Sequence, residues 1–259
     1  MLSTQQLAQF EEEGYLLLSG LIPEETVTKA EAAMWKMMGM QSDEPGSWKH
    51  FQRSPLSGFY MEQLSGGNRI ELFGVTQPNV MACCTPAYLA VLYQLAERYP
   101  EIPHCQSRQP DGIWALNQFP DERQWKCPSP HLDGDFRDLR LDPGCFRVTS
   151  LTYLTDAHSQ GGTTMIWPEG PARIRAFRKQ NPNFSNRVGD VRALFPQMDL
   201  GEPMEVTAKQ GDVLLFHHLL PHSGTINLTP YPRFAIRYMC LCRACRTWEK
   251  KGEWNIWMP

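Results

Sequence analysis

Gly211-Asp212-Val213-Leu214-Leu215-Phe216-His217-His218-Leu219-Leu220-Pro221-His222-Ser223-Gly224 is the stretch on which the reading of this chain turns. A glycine turn opens an apolar run, Asp212 to His218, that reads as a β-strand. His222 follows Pro221 at the strand's end, beside Gly224. Side chains alternate along a strand, so one of His217 and His218 must face outward, and at least one of them is structural.

Outward from this segment the same texture continues. Ile113 to Phe119, Arg147 to Leu154, Thr163 to Trp167, Met204 to Ala208 and Phe234 to Cys242 are further short β-type runs. Turn signals separate them: Asp133-Gly134, Asp142-Pro143-Gly144, Gly161-Gly162, Gln210-Gly211 and Pro230. Many short strands at such spacing predict a sandwich or barrel. One helical insertion, Arg173 to Lys179, carries several basic residues, read as a solvated face.

The N-terminal third is helical. Ser3 with Gln6 forms a capping-box pattern ahead of Leu7 and Phe10, and Gly14 is placed to end that helix. Tyr15 to Leu18 reads as a short strand. Pro23 opens a second helix, in which Val27, Ala30, Met34 and Met37 recur at helical spacing. A third starts at Thr85-Pro86, with Tyr88, Leu92 and Leu95 facing inward. Between them, Gln41 to Val80 is rich in Ser, Gly, Pro and isolated aromatics, and reads as a long irregular stretch, a lid or a surface excursion.

Composition bounds the rest. With 259 residues, 42% hydrophobic and 20% charged, the chain suits one globular domain over 1–259. A formal charge of -3 supplies no basic field for nucleic acid or anionic membrane. Met1 to Phe10 lack a signal-peptide pattern, and no apolar run approaches the roughly 20 residues of a membrane span. The expectation is a cytoplasmic protein. Its eight cysteines lack the paired spacing of a zinc site. Cys240, Cys242 and Cys245 come nearest to a cluster, and are read as reduced thiols.

The chemistry rests on His131-Leu132-Asp133. A lone H-x-D is weak, since about 0.3 such pairs are expected by chance, and a surface His beside a turn Asp is its ordinary meaning. Here the pair follows a strand and a loop, where the chain re-enters the sheet, and residues i and i+2 of a strand share a face. An iron(II) site for oxygen chemistry needs two imidazoles and one carboxylate on one face, with the other positions open. His217, His218 and His222 are the candidates for the second imidazole.

Gly211-Asp212 before an apolar strand, then His222-Ser223-Gly224, Asn227 and Arg233, resembles the phytanoyl-CoA dioxygenase family. The family pattern runs H-x-D, a distal His, and an Arg eleven residues later, the offset of Arg233 from His222. Phe10-x-x-x-Gly14-Tyr15 and Gly161-Gly162-Thr163…Trp167-Pro168 are similar too. Many members read Pro-Gly-Ser-His where this chain has Pro168-Glu169-Gly170-Pro171, a departure that removes no ligand.

The resemblance implies a mainly β fold with α, a double-stranded β-helix (jelly-roll or cupin-like barrel) with N-terminal helices packed on one sheet. It implies Fe(II) held by His131, Asp133 and His222, with 2-oxoglutarate as co-substrate, O2, and hydroxylation or desaturation of a small organic substrate. Arg233 also suits this role on chemical grounds. A dicarboxylate that chelates iron at its keto-acid end leaves a distal carboxylate, which a guanidinium binds through two parallel bonds. Arg237, on the same strand face, is the rival anchor, and Arg233 is preferred for its closeness to the metal strand. Gln118 is a further co-substrate candidate. Two other classes are a metalloenzyme that does not use 2-oxoglutarate and a non-catalytic binding protein of the same fold. The intact triad argues against the second, and Arg233 against the first.

Overall fold

The computed structural model describes residues 1–49, 61–64, 68–96, 110, 112–133, 146–184 and 188–241. Helix α1 (Thr4–Glu13) carries the full capping box, with Ser3 accepting from the Gln6 amide and the Gln6 side chain accepting from the Ser3 amide. Gly14 ends it in the left-handed conformation at φ 79°. There follow β1 (Tyr15–Leu18), α2 (Glu24–Met38), β2 (Met61–Leu64), β3 (Arg69–Val75), α3 (Pro78–Met81) and α4 (Pro86–Ala96). The second half holds β4 (Ile113–Gln118), β5 (Phe146–Tyr153), β6 (Thr164–Ile166), α5 (Gly170–Gln180), α6 (Val188–Arg192), β7 (Met204–Val206), β8 (Val213–His217), β9 (His222–Gly224) and β10 (Arg233–Leu241).

The strands form two antiparallel sheets. One has seven strands in the order β1-β8-β5-β10-β4-β3-β2, and the other has three, β7-β6-β9. Alternation along the strands sorts side chains to two sides. On the outer side of the large sheet, Leu72, Val148, Leu215, Phe234 and Ile236 join Val27, Ala30 and Met34 of α2 and Tyr88 and Leu92 of α4 in one core. On the inner side, Leu116, Tyr153, Leu214, Phe216 and Ala235 meet Ile166 and Val206 of the small sheet. Helices α5 and α6 cover the outer face of the small sheet through Ile174 and Val191, packed with Met165 and Trp167. This is the double-stranded β-helix with its N-terminal helices laid on one sheet.

Asp212 joins the two halves. Its carboxylate accepts from the Gly20 amide at 2.9 Å and from the Lys209 amide at 2.8 Å. Gly211, at φ 88°, lies so close to the Ile22 carbonyl that an added Cβ would come within 2.7 Å of it. The Gly-Asp pair is therefore fixed by this close approach.

Phe234 is fully buried, with ring centroids 4.6 Å from Trp35 and 5.7 Å from Phe119. Phe234→Ala should lower the unfolding free energy by about 3–5 kcal/mol, read from urea denaturation, because the helical layer cannot collapse fully into the void.

Three expectations change. Gln41 to Val80 is not irregular throughout, because it contains β2, β3 and α3. In β3, Ile70 and Leu72 face the helices, whereas Arg69 and Glu71 are charged positions at the opposite face, which hides the strand from a hydrophobicity reading. The basic residues of α5 are more than a solvated face. Arg175 donates to the Glu11 carbonyl at 3.1 Å and Arg178 to that of Phe184 at 2.8 Å, while Arg173 pairs with Glu169 and Asp199. The strand ends shift by a residue or two, as at β7, which stops at Val206. Among the described cysteines, Cys83, Cys84, Cys127 and Cys240 are free thiols, and burial pushes Cys83 up to about 12. Cys242 and Cys245 lie outside the described residues.

Candidate metal centre

The two halves of the motif meet through the backbone. His131 and His222 form an antiparallel bridge, with the His131 amide donating to the His222 carbonyl at 2.9 Å and the reverse bond at 3.0 Å. Residues paired in this way put their side chains on one face, and the two imidazole centroids are 4.5 Å apart. Asp133, two residues on, turns to the same face. One ligand atom from each of His131, Asp133 and His222 lies within 4.8 Å of the others. Nε2 of His222 is 3.4 Å from Asp133 Oδ2, and Nε2 of His131 is 3.8 Å from Oδ1.

The surroundings orient these groups as a cation site requires. His222 Nδ1 lies 2.9 Å from the Leu220 carbonyl, which can only accept, so Nδ1 is the donor in this bond and Nε2 is the nitrogen turned to the triad. Burial would raise the Asp133 carboxyl, but the Arg237 guanidinium and both imidazoles outweigh it and hold the group well below the usual carboxylate range. Asp133 is thus an anion at neutral pH. Its Oδ2 is buried without a hydrogen-bond partner, although Arg237 Nη2 lies 3.3 Å away. Loss of solvent, then the neighbouring His222, push the His131 imidazole down from its ordinary value, though a third of that side chain stays exposed. Two imidazoles and an orphaned carboxylate oxygen fit a divalent cation.

His217 and His218 are elsewhere. His217 Nδ1 accepts from the Leu219 amide at 3.1 Å and its ring meets Phe10 of α1 edge-on at 6.1 Å. Its ring stacks on that of His218 at 4.0 Å. Gly170, in the segment that departs from the family pattern, sits against Pro221, where an added Cβ would come within 2.5 Å of the proline ring.

Arg233 is buried at the start of β10, opposite Gln118 in the β10–β4 ladder. Its Nε donates to the Gly162 carbonyl at 2.7 Å and its Nη1 to that of Leu116 at 2.8 Å. These bonds aim the guanidinium, and burial lowers it only to about 10, so it stays charged at neutral pH. Gly162 stands at φ 72°, and a Cβ there would fall 2.6 Å from the Gln118 side chain. That contact explains the second glycine of the Gly-Gly signature, and the His158 carbonyl, 2.8 Å from an added Cβ, explains Gly161. Asn227 donates to the Gln118 and Tyr231 carbonyls, tying the loop between His222 and Arg233 to the end of β4. Gly162→Ala should therefore displace both Gln118 and Arg233. We expect a loss of about 1–3 kcal/mol in stability, read by denaturant midpoint, together with weaker binding of a dicarboxylate.

Sequence reasoning did not find the groups on the far side of the triad. Arg237, weighed only as a rival anchor, stacks 4.3 Å over Trp114, its partner across the ladder, and reaches Asp133. Arg69, paired with Glu71, comes from a strand that had read as irregular. Period two along β10 was the available signal, but it places Arg233 and Arg237 on one face without saying which meets the triad. A cavity of about 790 Å³ lined by Trp48, Ile70, Phe119 and Leu228 lies apart from the triad, none of whose residues lines it.

The family model described as Phytanoyl-CoA dioxygenase (PhyH) matches residues 10–235. No curated protein sequence matches the chain. Among solved structures, the chain is similar to the epimerase SnoN, crystallised with Fe3+, alpha ketoglutarate and nogalamycin RO. That match has a TM-score of 0.59 at 16% identity, over 91% of this chain and 81% of the other. The carbocyclase SnoK from nogalamycin biosynthesis matches with a TM-score of 0.53 at 17% identity, over 92% of this chain and 84% of the other. EvdO2 from Micromonospora carbonacea var. aurantiaca, complexed with 2-oxoglutarate, gives 0.51 at 16% identity, over 92% and 89%. At these identities the likeness is one of fold.

Proposed function

The chain belongs to the phytanoyl-CoA dioxygenase family, and from that membership we propose that it is a non-haem iron(II)- and 2-oxoglutarate-dependent dioxygenase acting on a small organic substrate. The reaction would be hydroxylation or desaturation, with release of succinate and CO2. The observation that carries this reading is the meeting of His131, Asp133 and His222, two imidazoles and one ionised carboxylate on one face of the barrel. This donor set leaves one side of a bound metal to co-substrate and O2.

His131, Asp133 and His222 would hold the iron. When bound, that ion supplies oxidative decarboxylation of 2-oxoglutarate and the oxidising power that follows. The chain's own residues do the rest. The Leu220 carbonyl accepts from His222 Nδ1 and so orients the ring, whose Nε2 would face the ion. Arg233, aimed by Gly162 and Leu116, receives the distal carboxylate of the co-substrate, with Gln118 beside it. Leu116, Tyr153, Phe216 and Ala235 line the inner core between the sheets and keep that region dry. No helix among the described residues is long and apolar enough to cross a membrane.

A metalloenzyme that ignores 2-oxoglutarate would leave the buried Arg233 guanidinium, aimed by two backbone carbonyls, without an ion-pair partner among the described residues. The test is conversion of 2-oxoglutarate to succinate with Fe(II) and O2 over a panel of small molecules, followed by mass analysis of each compound. Succinate release, coupled to gain of one oxygen atom or loss of two hydrogens, is the expected result. Substrate turnover that proceeds without 2-oxoglutarate would sink the proposal.

A further inference from the structure

We propose that Arg237 is the docking point for an acidic group on the substrate, so that the molecule oxidised here is a small organic anion such as a carboxylic acid. This deepens the functional reading above and rests on it.

The first support is charge. Among the described residues, the inner face of β3 and β10 and the triad carry three guanidiniums, Arg69, Arg233 and Arg237, against the carboxylates of Glu71 and Asp133. Arg69 is matched by Glu71. With the centre loaded, Arg233 would be matched by the distal carboxylate of 2-oxoglutarate. The divalent ion would be matched by Asp133 and the keto-acid carboxylate. Among the described residues Arg237 is then the cation left over, buried and sharing with the ion its one carboxylate, Asp133, an arrangement that is costly unless a ligand completes it.

The second support is geometry. Arg237 Nη2 lies 3.3 Å from Asp133 Oδ2 and 3.1 Å from Met239 Sδ, while its buried Nε has no hydrogen-bond partner. The guanidinium carbon lies over the Trp114 ring, 4.3 Å from its centroid, and Phe73 extends that aromatic wall, its ring centroid 4.4 Å from that of Trp114. A planar fork set on an aromatic wall beside the triad, with an unsatisfied buried donor, is suited to a carboxylate next to an apolar body. The keto-acid end of the co-substrate is the other carboxylate that would compete for this donor. The two sources have to be separated.

Acetate is the probe, with acetamide as its uncharged counterpart. The protein is loaded with Mn(II), a paramagnetic stand-in for iron, and saturated with 2-oxoglutarate, and relaxation of the probe's methyl protons is measured. The wild type should give saturable enhancement with acetate, at least about tenfold weaker with acetamide. Arg237→Gln should weaken acetate by at least about tenfold and leave 2-oxoglutarate affinity within about twofold, the size of one charge-assisted contact. Arg237→Lys keeps the charge and should fall between the two, which preserves the test if the glutamine variant does not fold. Acetate enhancement that is absent from the wild type, or unchanged in Arg237→Gln, overturns the proposal. So does a tenfold loss of 2-oxoglutarate affinity in that variant, which would assign Arg237 to the co-substrate. A wild type that binds neither Mn(II) nor 2-oxoglutarate would instead overturn the functional reading.

Discussion

His131→Ala, Asp133→Ala and His222→Ala are each expected to abolish stoichiometric Fe(II) binding, while His217→Ala and His218→Ala leave it largely intact. Loss of a group that merely supports a ligand costs about 10–100-fold in metal affinity, so loss of a ligand itself should cost more than about hundredfold. The three side chains depend on one another for position. His131 and His222 are locked by two reciprocal backbone bonds, and Asp133 lies on the same face two residues on. Side-chain truncation leaves those backbone bonds in place, so the variants should remain folded and the loss should be local. Equilibrium dialysis under anaerobic conditions, with far-ultraviolet circular dichroism as the folding control, checks it. If a strand histidine proved essential and His222 dispensable, the assignment of ligands would be wrong. The packing of His217 on Phe10 and its bond to the Leu219 amide argue the other way.

Arg233→Leu should weaken 2-oxoglutarate by about 1.5–3 kcal/mol, roughly ten- to 150-fold, because a charge-assisted contact to a carboxylate is removed. The variant also strands the carbonyls of Gly162 and Leu116, which now accept from Arg233. Some loss of stability should therefore accompany the weaker binding. Arg237→Leu should change 2-oxoglutarate affinity far less, since its guanidinium faces Asp133 and Trp114. Isothermal titration of 2-oxoglutarate into Mn(II)-loaded protein separates the two. The reverse ranking would give the anchor role to Arg237.

Much of this architecture was legible in the sequence. The capping box at Ser3 and Gln6, the helices after Pro23 and Thr85, and the strands from Ile113 onward carry local signals, and these elements form where their signals stand. What local signals miss is the inner face of the barrel. Arg69 and Glu71 disguise β3, because a strand whose hidden positions are charged does not alternate in the expected sense. β9 is only His222–Gly224, too short to read, yet its pairing with β6 and its bridge to His131 set the triad. The H-x-D and the distal histidine could be matched by resemblance, but their meeting is a fact of register between distant segments. Arg237 shows the same limit. Its strand face was readable, but its position over Trp114 depends on the β10–β4 ladder. The small residues of the signature gain a reason only in three dimensions. Gly162 is a glycine because Gln118 occupies the place of its side chain, and its carbonyl then serves Arg233.

The central claim is that the triad holds iron together with 2-oxoglutarate, and the most direct measurement is an anaerobic visible-absorption titration. Fe(II) and 2-oxoglutarate added to the wild-type protein should produce a weak charge-transfer band that saturates at about one iron per chain and needs both components, as expected for a keto acid chelated to a three-ligand site. Asp133→Ala should fail to produce it at the same concentrations. A wild-type protein that gives no band, or an Asp133→Ala variant that gives the same band, would contradict the account.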